Sequence, residues 1–398
     1  MVSYGSLLKD PRFFGIFATQ VTTVFSTSVT GLSIGFLVNH ETGSTFLTSL
    51  ATFAPSLANA FGAFGFMSHA DTRRPRQLMV LLQTCLAFTL CAQALPLPVP
   101  IRLALLLVGG VFTAVGAGIR LGLLQRIVPP QSYAPARSLL NLANGTIQVV
   151  GFALGSLLLR SVPRSMLFCA LTVLLLLGAA LLLITLPRDR VASNDADPAD
   201  SVQRTFRVNG WAFREPNIRV FLLALWIPNG IVVGAESLFI PFGKSQAGLL
   251  LSAGAAGMLL GDLVSGRFLS RGERSRINFA QRIIMASLYI VFWFNPSVIL
   301  ACLAVLIGST GFSASLYLQE RLVRLTPPDR KGQIQGLESS GRVASQGIFA
   351  LIAGGLAEVL GPGATMGLMG SLSLFAVLLI QPRIASVGRL VKWTPISH

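Results

Sequence analysis

Charge is scarce in this chain. Only 12% of its 398 residues are Asp, Glu, Lys or Arg, against roughly 25% in soluble domains. The acids number 15, and the histidines are only His40, His69 and His398. Such thin and scattered titratable groups do not form the cluster of His, Asp or Cys that a membrane-embedded enzyme needs. The four cysteines, Cys85, Cys91, Cys169 and Cys302, lack zinc-like spacing and read as small apolar packing residues. No metal or cofactor is expected. A phosphate-binding loop is missing too: Gly243-Lys244-Ser245 resembles the end of one, but Leu238 stands where the first Gly belongs and no strand precedes it. ATP is therefore not the direct energy source unless a partner supplies it.

What the chain has in abundance is apolar surface. Hydrophobic residues make up 53% of it and its mean hydropathy is +0.69. A single soluble core could not hide that much, so lipid must be the solvent for most of it. Outer-membrane strands would alternate in short segments. Here the runs are continuous and each is long enough to cross about 30 Å of hydrocarbon as a helix. The sequence predicts an all-α polytopic membrane protein with spans at 13–38, 45–69, 77–95, 101–125, 135–159, 164–187, 217–242, 246–269, 277–295, 296–320, 334–360 and 363–385. Pro96, Pro98 and Pro100 mark the third break, and Asn295-Pro296 the ninth. The first run is too long for a cleavable signal and is expected to remain as a span.

The charge map agrees with an even number of spans. With both termini cytoplasmic, all but five of the 31 Lys and Arg fall at cytoplasmic ends and loops. The exceptions are Arg102, Arg160, Arg164 and Lys244 outside, and Arg120 within a span. The net charge of +16 thus reads as a topology signal and not as a nucleic-acid surface, because the basic residues sit in short loops between spans. The Arg-over-Lys preference and brief loops point to a bacterial inner membrane.

One long polar stretch, 188–214, contains Ser193-Asn-Asp-Ala-Asp-Pro-Ala-Asp-Ser201 and reads as a flexible cytoplasmic linker. It divides the chain into six-helix halves, 1–187 and 215–398. The halves resemble each other. Leu124, Arg126, Pro129, Pro130, Leu139 and Gln148 recur at a constant offset of 198 as Leu322, Arg324, Pro327, Pro328, Leu337 and Gln346. Lys9-Asp10-Pro11-Arg12 before the first span has its counterpart in Arg214-Glu215-Pro216 before the seventh. Six is even, so the copies share one orientation, related by an axis along the membrane normal. Two such halves around a central cavity suit alternating access, and each pair encloses its own cavity, so a monomer suffices.

The twelve spans, the central linker and the basic loop Ala70-Asp71-Thr72-Arg73-Arg74-Pro75-Arg76 together resemble the major facilitator superfamily over essentially the whole chain. The loop is similar to the family's signature, although Met67 replaces an expected Gly and the internal Gly is missing. Its counterpart after the eighth span is Asp262-Leu-Val-Ser-Gly-Arg267. By resemblance, Asp71 with Arg73, Arg74 and Arg76, and Asp262 with Arg267, would lock the cytoplasmic gate. Physically, a carboxylate beside helix ends and guanidiniums makes bonds that exist in one state and break in another; the alternative is a set of solvated topology determinants. The fifth span contains Gly151-Phe152-Ala153-Leu154-Gly155-Ser156 where the family's antiporters often show Gly-Pro-x-x-Gly-Gly. Its glycines permit close helix packing.

Ionisable residues inside spans are costly and tend to face a cavity or a partner. Arg120 lies about five residues, or roughly 7.5 Å, from the cytoplasmic end of its span, where it could snorkel, pair at the gate or touch substrate. Glu236 lies in Ile-Val-Val-Gly-Ala-Glu-Ser-Leu-Phe-Ile. Partial desolvation there suits a carboxyl that takes and gives protons; otherwise it reaches the outer interface towards Lys244. Uncharged polar residues form looser sets. Asn141, Asn144 and Gln148 share one face of the fifth span. Glu338, Arg342 and Gln346 share one face of the eleventh, with Glu338 and Arg342 spaced to pair at the gate. Gln20, Asn59 and Asn229 complete the set, as cavity lining or as interhelical bonds; Asn229 follows Pro228, which can bend its helix.

These features lead to a secondary active transporter of a small lipophilic or amphipathic molecule, with the proton as coupling ion and export as the direction. An uptake permease on the same scaffold is the alternative.

Overall fold

The computed structural model describes residues 4–65, 75–187 and 207–390, and all its regular structure is helical. The passes are α1 (Pro11–Thr42), α2 (Thr45–Gly65), α3 (Pro75–Ala92), α4 (Val99–Ile127), α5 (Pro130–Ser161), α6 (Arg164–Thr185), α7 (Pro216–Glu236), α8 (Ala247–Arg267), α9 (Arg271–Phe294), α10 (Val298–Leu325), α11 (Lys331–Leu360) and α12 (Pro362–Leu390). Ten described segments are long and apolar enough to cross a membrane, and one of these, Pro216–Arg267, holds both α7 and α8.

Local chemistry sets the ends. Proline occupies the first turn of α1, α5, α7 and α12, where its missing N–H costs nothing and its fixed φ favours the helix. Asp10 caps α1 by accepting from the Arg12 backbone N–H at 2.8 Å. Gly43 ends the helix at φ 65°, a left-handed conformation that suits glycine. At the weakest sequence boundary, Asn295 takes φ 45° and Pro296 follows, so the chain turns between α9 and α10. Ser270 and Glu273 form a reciprocal capping box that starts α9 at Arg271 and not at 277.

Contacts follow the repeat. The pairings α1 with α5, α2 with α4, α1 with α6 and α3 with α6 recur as α7 with α11, α8 with α10, α7 with α12 and α9 with α12. The halves meet through α2 on α11 and α5 on α8, which are each other's images when six helices are added. This is the parallel two-fold relation expected from the offset of 198. The paired prolines lie where expected, between α4 and α5 and between α10 and α11.

Small residues let the backbones close in. A Cβ on Gly234 would stand 2.7 Å from the Phe349 carbonyl oxygen, and one on Gly257 would collide with that of Leu306. Gly151 and Gly155 pack α5 against Ser28 and Val29 of α1. Outward, exposed apolar side chains such as Ile184, Phe294 and Val359 present surface that lipid covers.

Two expectations change. Residues 207–214, the end of the expected linker, are helical. Val208 and Ala212 are buried with Phe221, Leu222 and Leu318, and Trp211 packs beside them. The spacing of 208, 211 and 212 makes one apolar helical face, which the polar stretch before it obscured. The helix of α7 also stops at Glu236, and a separate short helix runs Phe239–Gly243; the expected span 217–242 therefore contains a break.

Candidate functional site

Two amide bridges occupy matching places in the halves. Gln20 Nε2 donates to Asn144 Oδ1 at 2.7 Å, tying α1 to α5. Gln346 Nε2 donates to Asn229 Oδ1 at 2.8 Å, tying α11 to α7. By the offset of 198, Gln346 corresponds to Gln148, so the second bridge lies one helical turn further from the terminal face than the first. Asn141 and Gln148 stay exposed on α5. Asn229 sits beside the Pro228 irregularity, where the Trp226 and Pro228 carbonyls accept from Ser345 and Ser373 at 3.0 Å each.

Glu236 ends α7 and is 7% exposed. Tyr289 Oη of α9 donates to its Oε1 at 2.6 Å, and Ser309 Oγ of α10 lies 3.5 Å from the same oxygen. Gly254 of α8 lies opposite, where a Cβ would stand 3.7 Å from that oxygen. Four helices of one half thus enclose the carboxyl. Among the described residues its hydrogen-bond partners are these two hydroxyls and not Lys244, so the carboxyl faces the bundle and not the outer interface. Tyr289 and Ser309 were missed in the sequence because both sit in apolar runs. The signal available was the rarity of tyrosine, four in the chain, and its position within a span.

Arg120 does not snorkel. It is 9% exposed, its Nε has no partner, and it lines a pocket between α1, α3 and α4 with Gln83 and Thr23. Arg282, counted with the basic terminal-face residues from sequence, is 2% exposed, and its Nη1 donates to Gln381 Oε1 of α12 at 2.9 Å. The early start of α9 at Arg271 carries it deep into the bundle.

Of the gate candidates, Glu338 and Arg342 form an i,i+4 ion pair at 3.0 Å. Gln319 Nε2 of α10 lies 3.3 Å from Glu338 Oε2, and Asp262 of α8 lies within electrostatic reach of Arg342. The structure therefore gathers Asp262, Arg342, Glu338 and Gln319 from three helices. Arg76 donates to the Leu183 carbonyl near the end of α6, and Arg267 is exposed. Asp71, Arg73 and Arg74 lie outside the described residues, as does the side chain of Asn59.

At the face opposite the termini, the halves are joined by described hydrogen bonds. Glu358 Oε1 of α11 accepts from Ser44 Oγ at 2.6 Å and from the Phe46 backbone N–H at 3.0 Å. Thr45 Oγ1 donates to the Gly354 carbonyl at 2.9 Å, and Ser237 Oγ to Ser49 Oγ at 3.2 Å. Arg160 donates to the Ser245 carbonyl. Glu358 thus serves the free N–H groups at the start of α2 from the other half. Sequence reasoning did not single out Glu358, because its partners lie across the interface between the halves.

Comparison with known proteins gives one family. The model of the Major Facilitator Superfamily matches residues 16–322. The chain is 26% identical over 420 residues to the enterobactin exporter EntS of Salmonella paratyphi A, covering 98% of this chain and 97% of that protein. It is 26% identical over 397 residues to the enterobactin exporter EntS of Shigella flexneri, covering 94% and 92%. Among solved structures, it is similar to a peptide transporter POT in complex with sulfate, with a TM-score of 0.77, 13% identity and coverage of 99% of this chain and 100% of that one. A bacterial homolog of the human lysosomal transporter Spinster, inward-facing and unoccupied, aligns with a TM-score of 0.71, 16% identity and coverage of 97% and 99%.

Proposed function

Because the chain belongs to the Major Facilitator Superfamily and is a multi-pass membrane transporter, not an enzyme, we propose that it exports a small amphipathic molecule in exchange for protons. Exporters similar to it over 98% of its length support the direction. The observation that carries the coupling is Glu236, buried and bonded at 2.6 Å by Tyr289 at the end of the same helix that carries Asn229. A carboxyl that alternates between charged and neutral inside a bundle changes what its neighbours can bond, and α7 connects that change to the amide bridge with Gln346. Gln20, Asn144, Asn229 and Gln346 are the polar contacts offered to cargo. Arg120 acts from α4 beside α1 and α3, and Gln148 completes the α5 face. Asp262, Arg342 and Glu338 close the terminal face. Both termini face the cytoplasm, each half forms a six-helix unit, and one chain suffices.

The test is pH-gradient-driven flux in inverted membrane vesicles. A panel of fluorescent lipophilic dyes and enterobactin, the cargo in the relatives' names, is offered to wild type and Glu236→Gln. Gradient-dependent accumulation that the substitution abolishes at unchanged expression supports proton-coupled export through Glu236. Accumulation that survives in the variant removes Glu236 from the coupling. Accumulation that is indifferent to the gradient overturns the coupling as a whole.

A further inference from the structure

Trp226 of α7 touches α11 beside the gate pair, one turn from the amide bridge at Asn229. Its indole Nε1 donates to the Glu338 carbonyl of α11 at 2.9 Å. The ring fills the gap left by a missing side chain, since a Cβ on Gly341 would collide with it. Phe213, from the helix at 207–214, packs beside the same ring with centroids 6.0 Å apart. Ser345 shares its single hydroxyl proton between the Arg342 carbonyl at 2.8 Å and the Trp226 carbonyl at 3.0 Å. Glu338, Gly341 and Ser345 stand at i, i+3 and i+7, so one face of α11 meets this residue. At the offset of 198 their counterparts are Leu140, Ala143 and Ile147, so the clasp belongs to the second half and not to the repeat.

We infer that Trp226 is a positioning residue for the terminal-face gate, which it serves by fixing the rotation of α11. The inference rests on the reading of Glu338, Arg342 and Asp262 as that gate. Glu338 and Arg342 pair at 3.0 Å through their spacing alone, whatever direction that side of the helix faces. Spacing therefore forms the pair but does not aim it. Aim decides whether Glu338 lies 3.3 Å from the Gln319 amide of α10. Successive residues are about 100° apart around a helix, so a modest roll carries a side chain well away from its partner. An indole seated in a glycine gap opposes such a roll, because a close-packed contact has no slack on either side. Its N–H bond adds direction, since hydrogen bonds weaken steeply when bent. The same setting brings Gln346 to Asn229 at 2.8 Å, so one contact aligns both polar pairs of α11.

The experiment reads the rotation directly and needs no cargo. In full-length protein in native membranes, with the four native cysteines replaced by serine, Gln319→Cys is combined in turn with Glu338→Cys, Gln335→Cys or Ile334→Cys. A short bifunctional thiol reagent then reports which position of α11 faces α10. With Trp226 intact, the pair at 319 and 338 is expected to cross-link fastest. Trp226→Phe keeps a ring and removes the N–H; Gly341→Ala pushes the indole out and suits the helix itself. Either is expected to slow that pair about two- to tenfold, the range a lost net hydrogen bond gives, while one flanking pair speeds up. Should Gly341→Ala fail to fold, Trp226→Phe decides alone. An unchanged pattern, or three rates that fall together as loosened packing would make them, overturns the positioning role. The gate is judged apart from this, by labelling of Gln148→Cys, exposed on α5, with an impermeant maleimide in inverted vesicles. Arg342→Gln that leaves this labelling unchanged overturns the gate reading, and Trp226 then has no gate to position.

Discussion

The phenol of Tyr289 donates a 2.6 Å hydrogen bond to Glu236, and so joins α9 to the terminus of α7. Ser309 of α10 closes the triangle, 3.4 Å from the Tyr289 oxygen and 3.5 Å from the carboxylate. Proton coupling through Glu236 predicts that Tyr289→Phe lowers gradient-driven flux, while Glu236→Gln abolishes it. A hydrogen bond to a charged group contributes about 1.5–3 kcal/mol, so the Phe variant should lose roughly tenfold or more. Gradient-driven flux that is unchanged in Tyr289→Phe at equal expression would show that this bond takes no part in the coupling.

The amide bridges make a prediction about stability. Gln20→Leu leaves Asn144 without its described partner, at a cost of about 0.5–1.5 kcal/mol for a lost hydrogen bond between half-buried groups. Replacing Asn144 as well should recover much of the lost Tm, because an apolar pair has nothing to satisfy. The same cycle on Asn229 and Gln346 should behave alike. Failure of both double variants to recover would mean that the bridges serve packing that leucine cannot reproduce.

Glu358 predicts how the opposite face opens. Its carboxylate holds Ser44 and Phe46 of the other half, and Glu358→Ala removes both bonds. With the four native cysteines replaced by serine, a Thr52→Cys probe below this contact should react faster with an impermeant maleimide in the Glu358→Ala background. The increase should be roughly threefold, a modest factor because the pair is exposed and partly screened. An unchanged rate would show that the α2–α11 packing alone keeps the face shut.

Asp10 gives a prediction in pH. The Arg12 side-chain bond holds its carboxyl below the ordinary aspartate value of 3.8, although partial burial pulls the other way. A lowered folded value contributes stability that is fully present above the ordinary value and is lost as pH falls through the lowered one. Asp10→Ala should cost about 1 kcal/mol as a lost cap. The Tm difference from wild type should be constant well above pH 3.8 and shrink below it. A difference that persists at lower pH would assign the cap to something other than the charged carboxylate.

Several parts of the site were legible because helical periodicity is local. Glu338 and Arg342 pair as their spacing of four requires, and the Asn295-Pro296 boundary is where α9 ends. Glu236 stood out as an acid in an apolar run. Its partners did not, since Tyr289 and Ser309 are distant in sequence and look like ordinary span residues. Arg282 was misplaced for a related reason: a boundary error at the start of α9 turned a buried cation into a surface one.

By itself the sequence determined that this chain lives in lipid, that it crosses as helices and that it repeats after six of them. Those properties depend on composition, run length and an offset of 198, all of which can be counted along one dimension. Tertiary structure decided which polar groups meet. Gln20 found Asn144 and not Gln148, Glu236 turned to Tyr289 and not Lys244, and Glu358 reached across to the other half. The physical reason is that a polar group in an apolar bundle must take whatever partner packing brings within 3 Å or so. Helix rotation and the packing of neighbouring helices choose that partner, and neither is written in the hydropathy of the span.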